Sequence, residues 1–344
     1  MNPTMLVILF VLGLATGLAF ATTLSLFAGR RVVRPDGRPG RKRGPVRILL
    51  GLVGLGLVAV LVGVELGWFY ANAQFDKIER IDVDSDGRSV LAGSEGGTNY
   101  LLIGTDKREG TEGNRADSIL VLRTGDGPAR LLSIPRDLVV PRPDLGGDRA
   151  RINAAYNQGA VNLIRTVQES VGIPIDRYIE INFTAFADLV DALGGVTIDF
   201  PTPAIDVGSG LNIEQAGPNE LDGEQALAFV RSRKYQEVID GVPQATSGSD
   251  LDRIVRQQQF LREVLGEAGS SRNPFHLARI GTALSGGLSI DNHMELFDAL
   301  VFAWNMGQLD PVQTELPVLP SGDGATVVLA PEADAVVTDF ATGG

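Results

Sequence analysis

Carboxylate and guanidinium side chains stand at the ends of apolar segments in the middle of this 344-residue sequence. Asp106 ends the segment TNYLLIGTD, Asp117 stands just before SILVLRT, and Arg136 and Asp137 follow ARLLSIP. Ligands of open α/β sheets bind beyond strand ends, so this grouping predicts one polar site. Two carboxylates flanking one loop can hold Mg²⁺, which favours a few carboxylates together with phosphate oxygens and water. The alternative is that Asp106 and Asp117 are ordinary loop and cap residues.

A second set of candidate residues is basic or polar. Arg231 and Arg233 would point about 200° apart on one helix, so both can serve one site only if the helix ends near Arg231. Arg253 and Gln257 are four residues apart and share a helix face. Guanidinium groups bind phosphate bidentately, so an arginine cluster in an acidic chain suits a small polyanion. The alternative is a set of surface ion pairs with the many Asp and Glu residues.

The elements that must position these side chains alternate between strands and helices. Near-continuous apolar runs are typical of central strands covered on both faces, and they occur at 98–106, 118–124 and 129–135. Alternation predicts further strands at 177–183 and 196–200. Helical spacing with start and stop signals predicts helices at 157–172, at 184–195, from Asp222 onwards, at 249–269 and at 293–307. We therefore predict an α/β fold, a three-layer α/β/α domain with a central mixed sheet.

Two long apolar segments open the chain, at about 5–28 and 48–73. Each exceeds the roughly 20 apolar residues with which a helix crosses a bilayer. The loop between them, 29–47, carries eight Arg or Lys residues against one Asp, which places it in the cytoplasm by the positive-inside rule. We predict that N-terminal transmembrane helices form a membrane anchor over 1–73 and precede an extracytoplasmic domain. The alternatives are a cleaved signal peptide and a single anchor preceded by a mistaken start site.

The composition of the remaining chain indicates three segments. Residues 74–97 are rich in Gly, Ser and Asp, which predicts a linker or stem. We predict that residues 98–320 form the folded domain and that residues 321–344 form a flexible tail. The formal net charge is -12 although the loop at 29–47 is basic. An acidic surface repels phosphate at long range, which argues against nucleic acid as a partner.

The sequence contains no cysteine, which excludes disulfides and cysteine catalysis. It contains only two histidines, which argues against a structural zinc site.

Seven motifs follow one another along residues 97–268. They are NYLLIGTDKR, RADSILVLR, LLSIPRDLVVP, RINAAYNQGA, FADLVDALGGVTIDF, LDGEQALAFVRSRK and SDLDRIVRQQQFL. In these motifs and in their order, the sequence resembles the LytR-CpsA-Psr family of cell-wall phosphotransferases. The elements GTD, IPRD and DLDRIVRQQ are the most specific of them.

The resemblance implies a phosphotransferase at the plasma membrane that works on its outer side. Such an enzyme moves a glycopolymer, such as teichoic acid, arabinogalactan or a capsule-like polymer, from a polyprenyl-pyrophosphate carrier onto peptidoglycan. The resemblance also implies an apolar pocket for the carrier lipid, with the pyrophosphate at its mouth beside Mg²⁺ (or Mn²⁺) and several arginines. By motif match, Asp106 and Asp117 are metal-associated, and Asp117 and Arg136 are catalytic. The implied phosphate-binding residues are Arg115, Arg136, Arg231, Arg233, Arg253 and Gln257.

Some alternatives stay open at the level of sequence. A polyprenyl-phosphate binding protein or a pyrophosphatase without ligase activity would need the same residues. Asp117 and Asp137 are both candidates for the group that takes the proton of the acceptor hydroxyl. The segment 235–248 separates two of the motifs, and we predict that it forms a flap over the site.

Overall fold

A central mixed sheet with helices on its faces organises the larger part of the chain in the computed structural model. The structure describes residues 44–105, 116–125, 127–245, 286–306, 311–322 and 325–342, and the positions 256, 259–260, 262–264, 266–267, 280, 282–283 and 309. The chain divides into two units, Met1–Ala73 and Gln74–Gly344. The sheet belongs to the second unit.

Short strands and helices alternate along the described residues. The strands are β1 Glu79–Ile81, β2 Asp84–Ser85, β3 Arg88–Ser89, β4 Gly97–Thr105, β5 Ala116–Gly125, β6 Arg130–Ile134, β7 Val139–Pro141, β8 Arg149–Arg151, β9 Arg177–Asn182, β10 Val196–Phe200, β11 Ala204–Asp206, β12 Leu211–Ile213, β13 Gly217–Leu221, β14 Gln236–Ile239, β15 Val242–Ala245, β16 Leu288–Asp291, β17 Val312–Glu315, β18 Val318–Pro320 and β19 Val327–Leu329. The α-helices are α1 Gly44–Phe75, α2 Ala160–Thr166, α3 Phe183–Leu193, α4 Gly223–Arg231, α5 Leu296–Met306 and α6 Ala333–Thr342. Two 3₁₀ helices cover Pro143–Leu145 and Ile152–Gln158, and a π-helical turn covers Val167–Val171.

The first unit consists, in its described part, of most of helix α1. This helix contains the second predicted apolar segment, 48–73, and confirms that the segment is helical. Its one proline, Pro45, lies in the first turn, where a missing N–H breaks no helical hydrogen bond. Among the described residues, we find no helix that combines the length and the apolar composition needed to cross a membrane. The first predicted segment, 5–28, lies outside the described residues.

The main sheet has seven strands within the described residues, in the order β1-β16-β9-β4-β5-β6-β17. Strands β4, β5 and β6 are antiparallel neighbours, whereas β9 is parallel to β4 and β17 is parallel to β6. The sheet is therefore mixed, as predicted. The three strands predicted from apolar runs lie at its centre.

Both faces of the central strands are apolar, because successive side chains of a strand point to opposite faces. On one face Ile103 and Val121 belong to a cluster with Ile164 of α2. On the other face Leu122 lies in a cluster with Phe302 of α5. Full burial of such a side chain stabilises the fold by about 1.5–3 kcal/mol. Helix residues therefore pack against both faces of the sheet, and the predicted mixed α/β fold is confirmed.

A third cluster surrounds helices α3 and α4 and the strands β10 to β13. The ring of Phe229 in α4 lies 5.3 Å from Phe200 and 6.4 Å from Phe260, measured between centroids. Phe260 and Val264 are buried and helical, as the amphipathic pattern at 249–269 predicts. This cluster fixes the position of α4, whose last residue is Arg231.

Part of the segment 74–97, for which the sequence predicts a linker, belongs to the folded domain. Strand β1 pairs in parallel with β16 at the edge of the main sheet, and Val83 is fully buried. The polar composition of the segment conceals this role, because an edge strand needs only a few apolar side chains. Backbone hydrogen bonds, which composition does not show, attach it to the sheet.

The predicted flexible tail, 321–344, contains strand β19 and helix α6. Ala333, Val337 and Phe340 are buried in the main core. Their spacing of four and three residues places them on one face of the helix. The tail prediction was wrong for the described residues because three well-placed apolar side chains outweigh a Gly- and Ala-rich composition.

The predicted flap, 235–248, contains the hairpin of β14 and β15. Its turn is Asp240-Gly241, with φ of 52° and 77° at the two residues, which suits a tight two-residue hairpin. Strand β14 also pairs with β11, in a sheet of order β12-β11-β14-β15. The hairpin is therefore hydrogen-bonded to the domain through β11, and its movement over the site stays a prediction.

Candidate functional site

The ends of several central strands meet at one edge of the main sheet. Thr105 pairs with both Ala116 and Asn182, so the ends of β4 and β9 lie beside the start of β5. Strand β6 is antiparallel to β5 and therefore ends at the same edge. Asp117 is the second residue of β5, and Arg136 follows the end of β6. The predicted grouping of these two side chains is confirmed.

Asp117 lies at an irregularity in the pairing of β4 with β5. Gly104 pairs with Ser118 and Thr105 with Ala116, which leaves Asp117 as an extra residue. Such a bulge bends the strand and redirects the side chain, and bulges are frequent next to active sites. The carboxylate is directed by this bulge rather than by the regular alternation of the strand.

Arg136 is held by carboxylates on two sides. Its Nη1 donates a hydrogen bond of 2.8 Å to Oδ1 of Asp117, and its Nε lies 3.4 Å from Oδ2 of Asp137 in an ion pair. Pro135 ends strand β6, and Leu138 N–H donates back to the Pro135 carbonyl, which forms a turn. The Arg136 side chain is only 16% exposed. A guanidinium in such surroundings has a fixed direction, which a flexible surface arginine lacks.

Arg233 reaches the same carboxylate from the end of helix α4. Its Nη2 lies 3.4 Å from Oδ1 of Asp117. The helix ends at Arg231, and Ser232 is extended with φ of -60° and ψ of 122°. The condition that the sequence sets for Arg231 and Arg233 to serve one site is therefore met.

A buried carboxylate shapes the backbone that carries Arg233. Oδ2 of Asp206 accepts hydrogen bonds from the backbone N–H groups of Arg233 at 2.9 Å and Lys234 at 2.8 Å, and from Oγ of Ser232 at 2.7 Å. Arg256 adds a bond from Nη2 to the Ser232 carbonyl. The turn that presents Arg233 is thus fixed from the protein interior.

The pKa of Asp206 reflects this arrangement. Burial alone would raise it, because a buried carboxylate loses its hydration. The hydrogen bonds from Ser232 and from the backbone of Lys234, Gly208 and Arg233 outweigh burial and hold the pKa below its ordinary value. Asp206 is therefore ionised at neutral pH and accepts these bonds as a carboxylate.

A cavity of about 330 Å³ opens beside these charges. Its volume is at the lower end of the range found for small-molecule sites, about 300–1,000 Å³. Three guanidinium groups, one carboxylate and two carboxamides face it. The lining residues are Arg136, Asp137, Arg151, Asn153, Ala154, Asn157 and Arg233.

Three of the polar lining residues received no role from the sequence. Arg151, Asn153 and Asn157 lie in the motif RINAAYNQGA, in or next to the 3₁₀ helix Ile152–Gln158. Residues three apart eclipse one another in such a helix, so Arg151 and Asn157 line one row. Nη1 of Arg151 also lies 3.3 Å from Oδ1 of Asp137. A spacing of three residues in this motif, with the apolar Ile152 between polar residues, is the signal that could have indicated these cavity residues.

The other predicted site residues fall into two groups. Arg231 is not among the residues that line the cavity, and its guanidinium lies over the ring of Phe183, 4.9 Å from the centroid. Four residues lie outside the described part of the chain, namely Asp106, Arg115, Arg253 and Gln257.

The predicted metal site is described only at Asp117. In the described part of the chain, no three His, Cys, Asp or Glu side chains are arranged to hold a metal ion. Arg136 and Arg233 both contact Oδ1 of Asp117, and Oδ2 has no partner among the described residues. A carboxylate oxygen of this kind fits Mg²⁺, which takes one or two carboxylates together with substrate phosphate.

The sequence matches the model of the LytR_cpsA_psr family over residues 69–315. The curated "Probable cell wall biosynthesis protein LcpB" of Corynebacterium glutamicum is 36% identical over 306 residues, which cover 75% of this chain and 68% of that protein. The "Polyisoprenyl-teichoic acid--peptidoglycan teichoic acid transferase TagU" of Oceanobacillus iheyensis is 34% identical over 212 residues. These cover 59% of this chain and 61% of that protein, so the chain spans less than two thirds of that relative.

Solved structures of LytR-CpsA-Psr proteins also resemble this chain. A LytR-Csp2A-Psr enzyme from Actinomyces oris superposes with a TM-score of 0.66 at 26% identity, covering 77% of this chain and 96% of that one. A structure described as "TagT bound to LIIa-WTA" superposes with a TM-score of 0.55 at 26% identity, covering 73% and 92%. The family model covers well over half of the chain, and a relative with 36% identity is covered over more than two thirds of its length, so the chain belongs to the LytR-CpsA-Psr family.

Proposed function

We propose that this protein is a membrane-anchored phosphotransferase that moves a glycopolymer from a polyprenyl-pyrophosphate carrier onto peptidoglycan, on the outer side of the plasma membrane. Family membership supports the reaction class. A relative is named as a transferase of teichoic acid from a polyisoprenyl carrier to peptidoglycan. The two apolar segments that open the sequence support the membrane location.

One observation carries the proposal, the convergence of three arginines on one cavity in an acidic chain. Arg136, Arg151 and Arg233 all line it. Three guanidinium groups this close repel one another unless carboxylates or a bound anion compensate their charge. Asp117 and Asp137 supply part of that compensation. A pyrophosphate supplies the rest and offers oxygens that suit bidentate hydrogen bonds.

The reaction is a phosphoryl transfer in which positioning and charge stabilisation do most of the catalysis. The oxygen of the acceptor hydroxyl attacks the phosphorus that carries the glycopolymer. The bond from that phosphorus to the bridging oxygen breaks, and polyprenyl phosphate leaves. Arg136, Arg151 and Arg233 stabilise the negative charge on the phosphate oxygens. The carboxylate of Asp137 lines the cavity. We therefore propose that Asp137 accepts the proton of the attacking hydroxyl.

The neutral side of the cavity suits the sugar next to the phosphate. Asn153 and Asn157 line it, and neither carboxamide makes a hydrogen bond to another described residue. A carboxamide donates and accepts, which matches the hydroxyl groups of a sugar. Bound by Asp117 together with Asp106, Mg²⁺ or Mn²⁺ would supply further neutralisation of phosphate charge.

The test uses the full chain in detergent with a polyprenyl-pyrophosphate-linked glycan, uncrosslinked peptidoglycan strands and Mg²⁺. Arg136→Ala removes a group that touches the phosphate, and we expect the transfer rate to fall by about 100-fold or more. Arg130→Ala is the matched control, because Arg130 begins the same strand and pairs with Asp339 away from the site.

Three outcomes distinguish the candidate functions. A glycan phosphate linked to peptidoglycan, lost in Arg136→Ala and kept in Arg130→Ala, supports the transferase. Release of free glycan phosphate to water would indicate a pyrophosphatase. Tight binding of the donor without any product would indicate a carrier-binding protein.

A further inference from the structure

Glu180 is a buried carboxylate that accepts hydrogen bonds from two tyrosines. It lies on strand β9 and is 3% exposed. Its Oε1 accepts from the hydroxyl of Tyr156 at 2.6 Å, and its Oε2 accepts from the hydroxyl of Tyr178 at 2.9 Å. In the described part of the chain, no ion pair with a basic side chain involves Glu180. The two hydroxyl groups are therefore its stabilising partners, and hydrogen bonds to a charged acceptor are strong.

The two tyrosines connect Glu180 to different parts of the molecule. Tyr178 lies two residues earlier on the same strand, so its bond stays within the sheet. Tyr156 lies in the 3₁₀ helix Ile152–Gln158, which carries Asn153 and Asn157 into the cavity. The Tyr156 bond is thus a direct link between the sheet and the cavity wall.

The same helix is attached at its first turn to the segment that carries Arg136. Ile152 N–H donates to the carbonyl of Leu138 at 2.8 Å, and Asn153 N–H donates to the carbonyl of Arg136 at 3.3 Å. The helix is therefore held at two places, by backbone bonds near Arg151 and by the Tyr156 hydroxyl. A shift at Tyr156 would be transmitted to Arg151 and Arg136, which both line the cavity.

Both phenols remain hydrogen-bond donors throughout the neutral range. Burial raises the pKa of Tyr156, and the hydrogen bond to Glu180 raises it further. Burial also raises the pKa of Tyr178 well above its ordinary value. The link between Glu180 and the cavity wall therefore does not depend on pH under ordinary conditions.

We propose that Glu180 is a positioning residue, which through Tyr156 sets the place of the helix Ile152–Gln158 and so the geometry of the phosphate-binding cavity. The inference rests on the proposed function, because it concerns the same cavity. It adds a buried residue that touches neither substrate nor metal. Glu180 would act on binding through Tyr156 and the helix, at a distance from the phosphate.

Two substitutions form a matched pair that tests this. Tyr156→Phe and Tyr178→Phe each remove one hydroxyl from the same carboxylate in a buried site, but only the first breaks the link to the cavity. The probe is inorganic pyrophosphate, titrated into the full chain by calorimetry alongside the melting temperature. We expect Tyr156→Phe to raise the Kd about fivefold and Tyr178→Phe to leave it within about twofold, at similar losses in melting temperature.

A second pair covers the case in which a phenylalanine variant fails to fold. Glu180→Gln keeps one acceptor for a tyrosine hydroxyl and can donate to the oxygen of the other, whereas Glu180→Leu keeps neither. We expect the Gln variant to bind pyrophosphate more tightly than the Leu variant. Equal Kd values for the two phenylalanine variants, or for the Gln and Leu variants, would overturn the proposal.

Transfer assays on the same proteins separate this inference from the proposed function. If wild-type protein binds pyrophosphate but transfers no glycan, the proposed reaction fails while the difference between Tyr156→Phe and Tyr178→Phe still decides the role of Glu180. If transfer is intact but the two variants behave alike, Glu180 serves only the stability of the core. Absence of pyrophosphate binding by the wild-type protein would overturn both.

Discussion

Oδ1 of Asp117 accepts a hydrogen bond of 2.8 Å from Nη1 of Arg136, across 19 positions of sequence. The bond joins the start of one central strand to the turn after its neighbour. It fixes a guanidinium at the mouth of a cavity that two further arginines line. Asp117 is not among the residues that line the cavity, so it orients Arg136 from behind the cavity wall.

Asp117→Asn should lower the transfer rate by about 100-fold, because it removes the negative charge that orients Arg136 and Arg233. The amide keeps the shape of the side chain, so the melting temperature should change little. Transfer is measured over a range of Mg²⁺ concentrations. A rate within threefold of wild type at all of them would contradict this role.

Arg233→Ala should weaken pyrophosphate binding by about tenfold, since a charge-assisted hydrogen bond to phosphate contributes about 1.5–3 kcal/mol and Arg233 is partly exposed to screening solvent. Lys234→Ala is the matched control. It removes the same charge from the next residue, which does not line the cavity. Equal weakening in both variants would show that net charge, rather than the position of Arg233, determines binding.

Asp206→Asn should destabilise the protein at pH 7 by about 1–3 kcal/mol, because the amide no longer offers a charged acceptor to the turn at 232–234. The folded-state pKa of Asp206 is below its unfolded value, so its stabilisation is present above about pH 4 and is lost as the pH falls further. Urea unfolding at pH 7 and pH 3 should therefore show the variant approaching wild type at the lower pH. The exposed Asp199 on β10, changed to Asn, is the control.

The buried tyrosines predict a loss of stability in alkali. The pKa values of Tyr156 and Tyr178 are raised in the folded state, so the stability they contribute is present below about pH 10 and declines as the pH rises above it. Unfolding free energies measured between pH 8 and pH 11 should fall more steeply in wild type than in the Tyr156→Phe, Tyr178→Phe double variant. Parallel curves would show that other groups cause the decline.

Asn157→Ala should raise the KM for the glycan-bearing donor by about fivefold while leaving the Kd of inorganic pyrophosphate unchanged, because pyrophosphate has no sugar hydroxyls for the carboxamide to bind. Gln158→Ala is the control, since it removes an exposed carboxamide from the next residue, outside the cavity. A parallel rise in the Kd of pyrophosphate would show that Asn157 supports the phosphate site instead.

The sequence by itself determined the central strands of the sheet and one pair of charged side chains at its edge. Apolar runs predicted β4, β5 and β6, and the polar residues at their ends predicted Asp117 and Arg136 as neighbours. These predictions follow from local patterns. A strand that is buried on both faces must be apolar, and a charged side chain can first contact solvent at the end of that strand. The sequence sets the end of α4 near Arg231 only as a condition, and of the two arginines only Arg233 lines the cavity.

Tertiary structure alone decided which of the remaining residues meet. Asp206 lies 27 positions from Arg233, and Glu180 lies 24 positions from Tyr156, and no local pattern connects the members of either pair. Three separate segments bring Arg136, Arg151 and Arg233 to one cavity, whereas the motif partner Arg231 lies on Phe183. The physical reason is that a carboxylate or an arginine can be satisfied by any partner within about 4 Å. Which partner stands there depends on how helices and strands pack, and packing is a property of the whole chain.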